Sequence, residues 1–127
     1  MKCEYLYEKE IGVDPNKYWW KEMGDDNRQS QWKLEKQKYG FDERETWDLD
    51  RVFLTWIYPR LKMFREVNNC HPAKMTMEEW NKILDEMIEG FGCSLKDNHA
   101  TADDSVISEK LQKSLKLFAE YFNDLWW

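Results

Sequence analysis

This chain of 127 residues is short of cysteine, proline, histidine and long apolar runs, and each shortage excludes something. Its three cysteines, Cys3, Cys70 and Cys93, are an odd and widely spaced set, which makes a poor disulfide framework and points to a reducing compartment. No apolar run approaches the roughly 18 residues of a membrane span. The opening MKCEYLYEKEIG is charged and lacks the apolar stretch of a secretory leader, so the expected location is the cytoplasm. Five glycines form no phosphate-cradling loop, and no HExxH, CxxC or nucleophile-elbow pattern occurs. Cys70-His71 with Cys93 and His99 could be drawn as a zinc site, but the spacing has neither a CxxC nor an HxxxH element, so free thiols are expected and no metal or cofactor. The only two histidines fall in loop-like stretches, which leaves acid–base catalysis without support; the chain is expected to bind rather than catalyse.

Positive charge is also scarce. Nineteen basic residues against 25 acidic ones give a net charge of -6, and the isoelectric point is near 5.0. That balance argues against general duplex-DNA binding and against adsorption to anionic lipid. It leaves solubility, a basic protein partner or crude mimicry of nucleic acid.

What the chain does have is aromatic surface: 16% of residues, including eight tryptophans. With 42% apolar residues overall, that is enough to build one core, so neither full disorder nor two independent domains is expected. The segment 1–39 reads as peripheral. Tyr5-Leu6-Tyr7 could seed a short strand, Asp14-Pro15 marks a turn or helix start, and Gly24 breaks the pattern. A polar stretch, 27–38, with only Trp32, Leu34 and Tyr39 apolar around it, predicts a surface helix capped by Gly40.

From residue 40 the periodicity is clear. Asp42 with Glu45 forms a capping-box pattern, and Leu49, Phe53, Trp56, Ile57, Leu61, Phe64 and Val67 recur at helical steps. Pro59 lies inside this stripe and predicts a kink or break. Thr76 with Glu79 opens a second helix, with Trp80, Ile83, Leu84, Met87, Ile88 and Phe91 on one face and an end near Gly90. The polar stretch 92–104 predicts a long loop. A last helix starts near Asp104 or Ser105 and carries Ile107, Leu111, Leu115, Phe118, Phe122 and Leu125 as its buried stripe, ending at Trp126-Trp127. The predicted fold is all-α: one domain of four or five helices, with 40–127 as the core bundle.

The residues that could bind a ligand lie on the long helix. Arg51, Thr55, Tyr58, Lys62 and Arg65 are spaced 4, 3, 4 and 3, which places them on one face, roughly opposite the apolar stripe. Segment 47–67 holds four basic residues (Arg51, Arg60, Lys62 and Arg65) against three acidic ones and reads as the one local reversal of sign. Guanidinium groups, an ammonium and a phenol ring are the groups a nucleotide pocket needs. The same pattern also describes an ordinary solvated helix face with cations near the helix C-terminus. Asp48 and Asp50 flank Leu49; on a helix they would point about 200° apart, so they cannot share one metal, and a structural pairing such as Asp48 with Arg51 is preferred to a catalytic carboxylate.

Of the tryptophans, Trp47, Trp56 and Trp80 fall on or beside apolar stripes and are expected in the core. Trp19-Trp20 and Trp126-Trp127 are tandem pairs, and neighbours on a helix point about 100° apart, so one of each pair should leave the core. An exposed tryptophan is typical of an interface anchor, which makes a homo-oligomer or a protein partner a fair expectation.

Gly40-Phe41-Asp42, Thr46-Trp47-Asp48-Leu49-Asp50, the run from Trp56 to Lys62, segment 76–91 and the terminal run from Leu115 to Trp126 together resemble a group of small proteins encoded by tailed bacteriophages and prophages. The resemblance covers residues 40–127 and brings no catalytic residues with it. It implies a phage accessory protein acting in the cytoplasm of an infected bacterium. Such a setting suggests an inhibitor of antiviral defence or of another host process. One mechanism is sequestration of a cyclic nucleotide signal through Arg51, Tyr58, Arg60, Lys62 and Arg65. Another is blockade of a host or defence protein through an acidic and aromatic surface. A structural or assembly factor is the remaining class.

Overall fold

The computed structural model describes residues 28–96 and 104–127, and among these residues it is entirely helical, with no strand. Four α-helices follow in order: α1 (Gln29–Tyr39), α2 (Leu49–Val67), α3 (Met77–Lys96) and α4 (Asp104–Glu120). Short 3-10 turns at Glu43–Thr46 and Phe122–Asp124 precede α2 and follow α4. The strand expected at Tyr5–Tyr7 lies outside the described residues.

The local signals explain most of the boundaries. Gly40 adopts φ +84° and its N–H reaches the Lys36 carbonyl at 2.9 Å, closing α1 in the left-handed conformation that glycine takes without a Cβ penalty. Both capping boxes form. At the first, Asp42 accepts from the Arg44 N–H (3.0 Å) and Glu45 accepts from the Asp42 N–H (3.0 Å). At the second, Thr76 Oγ1 accepts from the Glu79 N–H (3.2 Å) while Glu79 accepts from the Thr76 N–H (3.4 Å). The first box opens the 3-10 turn rather than the long helix, which begins at Leu49.

α3 is the central element, with α2 and α4 both packed on it. The core takes Leu54, Ile57, Tyr58 and Leu61 from α2 and Trp80, Leu84, Met87, Phe91 and Leu95 from α3, with Leu111, Leu115 and Phe118 of α4 half-buried against it. Each fully buried Leu, Met or Phe contributes about 1.5–3 kcal/mol relative to an exposed one. Phe53, Phe91 and Phe118, one each from α2, α3 and α4, form a triangle of edge-to-face rings with centroids 5.9–6.4 Å apart.

Four expectations need correction. α3 does not stop near Gly90 but runs to Lys96, so the loop begins later than residue 92. Its two glycines are packing devices: a Cβ on Gly90 would lie 2.6 Å from the Lys110 carbonyl oxygen, and one on Gly92 would lie 2.7 Å from the Tyr58 ring. Of the kink or break expected at Pro59 the break does not occur: α2 runs through it as one helix. Its buried face is also rotated from the expected stripe, toward the side that packs on α3: Thr55, Tyr58 and Pro59 are buried, while Leu49, Trp56 and Val67 are exposed. α4 ends at Glu120, not at the terminal tryptophans, and Phe122 of its expected stripe is exposed. The fully buried α4 side chain is Ser114, whose Oγ donates to the Glu86 carbonyl at 2.9 Å where α4 crosses α3 beside Gly90.

Candidate functional site

The basic stripe of α2 faces α3 rather than solvent. The Arg51 guanidinium donates to the carbonyls of Ser94 (2.7 Å) and Leu95 (3.1 Å), satisfying acceptors that the last turn of α3 would otherwise leave unpaired. Tyr58 is 3% exposed and lies against Gly92, with the Lys62 ammonium 5.5 Å from its ring centroid. Arg65 pairs with Asp85 of α3, Nε to Oδ1 at 3.0 Å. Arg60 is exposed but folded back: its guanidinium sits 4.4 Å from the Trp56 ring centroid and donates to the Trp56 carbonyl at 2.7 Å. The expectation that this stripe lies opposite the apolar face is therefore corrected. Most of it is the rim of the α2–α3 contact, and Arg60 belongs to the outer side with Trp56.

Asp48 and Asp50 also differ from expectation. Asp48 precedes the helix with φ -139° and ψ 65°, so helical spacing does not govern its direction. A hydrogen bond with the Asp48 side chain, aided by the Arg51 N–H at 2.9 Å, holds the Asp50 carboxyl below the usual carboxylate range. The preferred Asp48–Arg51 pairing is replaced by Arg51's reach to α3.

The tryptophans divide differently from their predicted roles. Trp80 is fully buried, as expected. Trp47 and Trp56, expected in the core, are both exposed: Trp47 meets α1 only through the edge of Trp32, and Trp56 lies on the side of α2 that carries Arg60 rather than on its α3 face. Trp126 and Trp127 are 69% and 63% exposed, so both members of the C-terminal pair leave the core instead of one. Trp19 and Trp20 lie outside the described residues.

A denser aromatic and cationic cluster surrounds Trp32 of α1. This side chain is 2% exposed, and its indole N–H donates to Glu43 Oε1 at 2.9 Å. The Arg44 guanidinium lies 4.4 Å and that of Arg28 5.2 Å from the Trp32 ring centroid, while Trp47 meets the same ring edge-on at 6.1 Å. Asp42 takes two hydrogen bonds from the Arg44 guanidinium, 3.0 Å from Nε and 2.9 Å from the terminal nitrogen. Those bonds hold the Asp42 carboxyl below its ordinary range against the opposing effect of burial, and raise Arg44 further above its own. A cleft of about 330 Å³ opens beside this pair, lined by Gln29, Trp32, Lys33, Lys36, Gln37, Asp42 and Arg44. Sequence reasoning missed this cluster, although the signal was present. Residues 28–39 hold Arg28, Lys33, Lys36 and Lys38 against Glu35 alone, a larger basic excess than that of 47–67. Segment 47–67 is therefore not the one reversal of sign.

A smaller cleft of about 180 Å³ lies between the 70–73 loop and the C-terminus, lined by Cys70, His71, Pro72, Ala73, Asp124 and Trp126. Cys70 and Cys93 are free thiols. Among the described residues no three His, Cys, Asp or Glu side chains group in a way that could hold a metal ion; His99 and Cys3 lie outside them. No helix among the described residues is long and apolar enough to cross a membrane.

No family model, curated protein or solved structure matches the chain.

Proposed function

We propose that this chain is a non-enzymatic, phage-encoded binding protein that acts in the infected cell by docking on a host or defence protein and blocking it. The observation that carries the reading is the exposure of both Trp126 and Trp127. Exposed tryptophans are unfavourable for an isolated domain and are among the strongest anchors of protein interfaces. Trp47, Trp56 and Phe122 add further exposed aromatic surface. The acidic net charge of -6 complements a basic partner and accelerates encounter with one.

Sequestration of a cyclic nucleotide by the α2 stripe is the less favoured mechanism. Arg51, Tyr58 and Arg65 are engaged with α3, and a ligand would have to displace those contacts before it could use them.

The test is phage plating on bacteria that carry a defence system and express the chain. The wild type should raise plating efficiency, and Trp126→Ala with Trp127→Ala should remove the effect while leaving the unfolding temperature unchanged. Full activity in that double variant, with loss of activity in Arg60→Ala or Lys62→Ala instead, would overturn protein docking in favour of the α2 stripe.

A further inference from the structure

We propose that the cleft between α1 and the Glu43–Thr46 turn binds a phosphate-bearing small molecule, recognised through its phosphate rather than through a base. The argument begins with charge. The protein is net acidic, yet Gln29, Lys33, Lys36 and Gln37 fall at helical steps of four, three and one on one face of α1, and that face forms a wall of the cleft.

Among the described residues, the acids nearby leave this charge largely available. Asp42 lines the cleft but is buried and committed to two hydrogen bonds from Arg44. Among the described residues Lys33 makes no ion pair. Lys36 shares Glu45 at 3.4 Å, with its own side chain nearly half exposed, which is the kind of surface pair a multiply charged anion displaces at little cost. Gln37 adds a neutral amide donor. Lysine ammonium groups on flexible stems suit a phosphate, which offers acceptors in several directions and needs no planar fork.

The floor of the cleft decides what is recognised. The Trp32 ring is 2% exposed and has the Arg44 guanidinium 4.4 Å from its centroid, so it offers a base no open face to stack on. Hydrogen bonds from Trp32 to Glu43 and from Arg44 to Asp42 instead hold the floor in place. A volume of about 330 Å³ matches the lower end of small-ligand pockets, enough for a diphosphate but small for a whole dinucleotide. This site shares no residue with the tryptophan surface, so either can fail without the other.

The experiment is a titration of the full chain with inorganic pyrophosphate and, separately, with ADP, followed through the backbone amide resonances of Lys33, Gln37 and Arg44. Both ligands should saturate, with affinities within about threefold of each other. Lys33→Ala should weaken both by about tenfold, the equivalent of one charge-assisted hydrogen bond. Lys33→Ala with Lys36→Ala should abolish saturation, and Lys113→Ala on α4 should leave it unchanged. Circular dichroism of each variant checks that α1 still forms. The proposal is overturned if neither ligand saturates, if the double variant binds like the wild type, or if ADP binds more than tenfold tighter than pyrophosphate.

Discussion

Replacing Gly90 by alanine sets two well-understood effects against each other. In an open helix the change adds about 1 kcal/mol of stability, because alanine forms helix better than glycine. Here the new Cβ would lie 2.6 Å from the Lys110 carbonyl oxygen and 2.8 Å from Ser114 Cβ, and would collide with Ser114 Oγ. A comfortable contact is about 3.5 Å, so α3 and α4 must separate by about 1 Å or tilt. Overpacking of this kind costs about 1–3 kcal/mol. The shift also breaks the hydrogen bond from Ser114 Oγ to the Glu86 carbonyl, for about 1 kcal/mol more. The expected net result is a loss of about 1–3 kcal/mol, or roughly 4 °C in Tm for each kcal/mol in a chain of this size. Urea unfolding followed by tryptophan fluorescence measures it. The double variant Gly90→Ala, Ser114→Ala should be less destabilised than the sum of its parts, because the second change removes one of the colliding atoms. If Gly90→Ala matches or exceeds the wild type in stability, the close approach of α3 to α4 is wrong.

Two further outcomes follow from the polar contacts. Asp42→Asn should lower stability at neutral pH by about 1–3 kcal/mol, since it removes the charged acceptor of Arg44. Because the folded protein holds the Asp42 carboxyl below its unfolded value of about 3.9, the contribution is full above that value and is lost as pH falls through it toward the lower folded value. The stability of Asp42→Asn should therefore fall less steeply than that of the wild type between about pH 5 and pH 3, and an equally steep acid limb would refute the pairing. Arg51→Gln should expose the carbonyls of Ser94 and Leu95, and hydrogen exchange should quicken at residues 93–96 while Met87–Phe91 stay protected. Unchanged exchange there would remove Arg51 from its capping role.

The all-helical fold was legible because long apolar stripes and caps are local signals: Gly40, the two capping boxes and the cores of α3 and α4 all follow from residues within one or two turns. What was not legible depends on contacts between helices. Periodicity alone puts Trp56 and Ile57 on the same apolar stripe, yet only Ile57 meets α3. Tyr58 reads as a polar-face residue until Gly92 provides the space for its ring. Gly90 reads as a terminator because helix propensity knows nothing of Ser114. The Trp32 cluster is hidden for a different reason: α1 has no apolar stripe to mark its buried face, and Trp32 is covered by Arg44 and Glu43 from the following turn.

The cap that Arg51 places on α3 bears on how the chain acquires its structure. The last two turns of α3 contain two glycines within three residues, a composition that isolated helices tolerate poorly. Their helical state therefore draws on α2, through Arg51 and Tyr58, and on α4, through Ser114. Residues 90–96 carry less helix propensity of their own than 77–89, so they are the part of α3 that leans most on its partners. The end of α3 is thus where the three helices α2, α3 and α4 hold one another, and loosening any one of them should be felt there first.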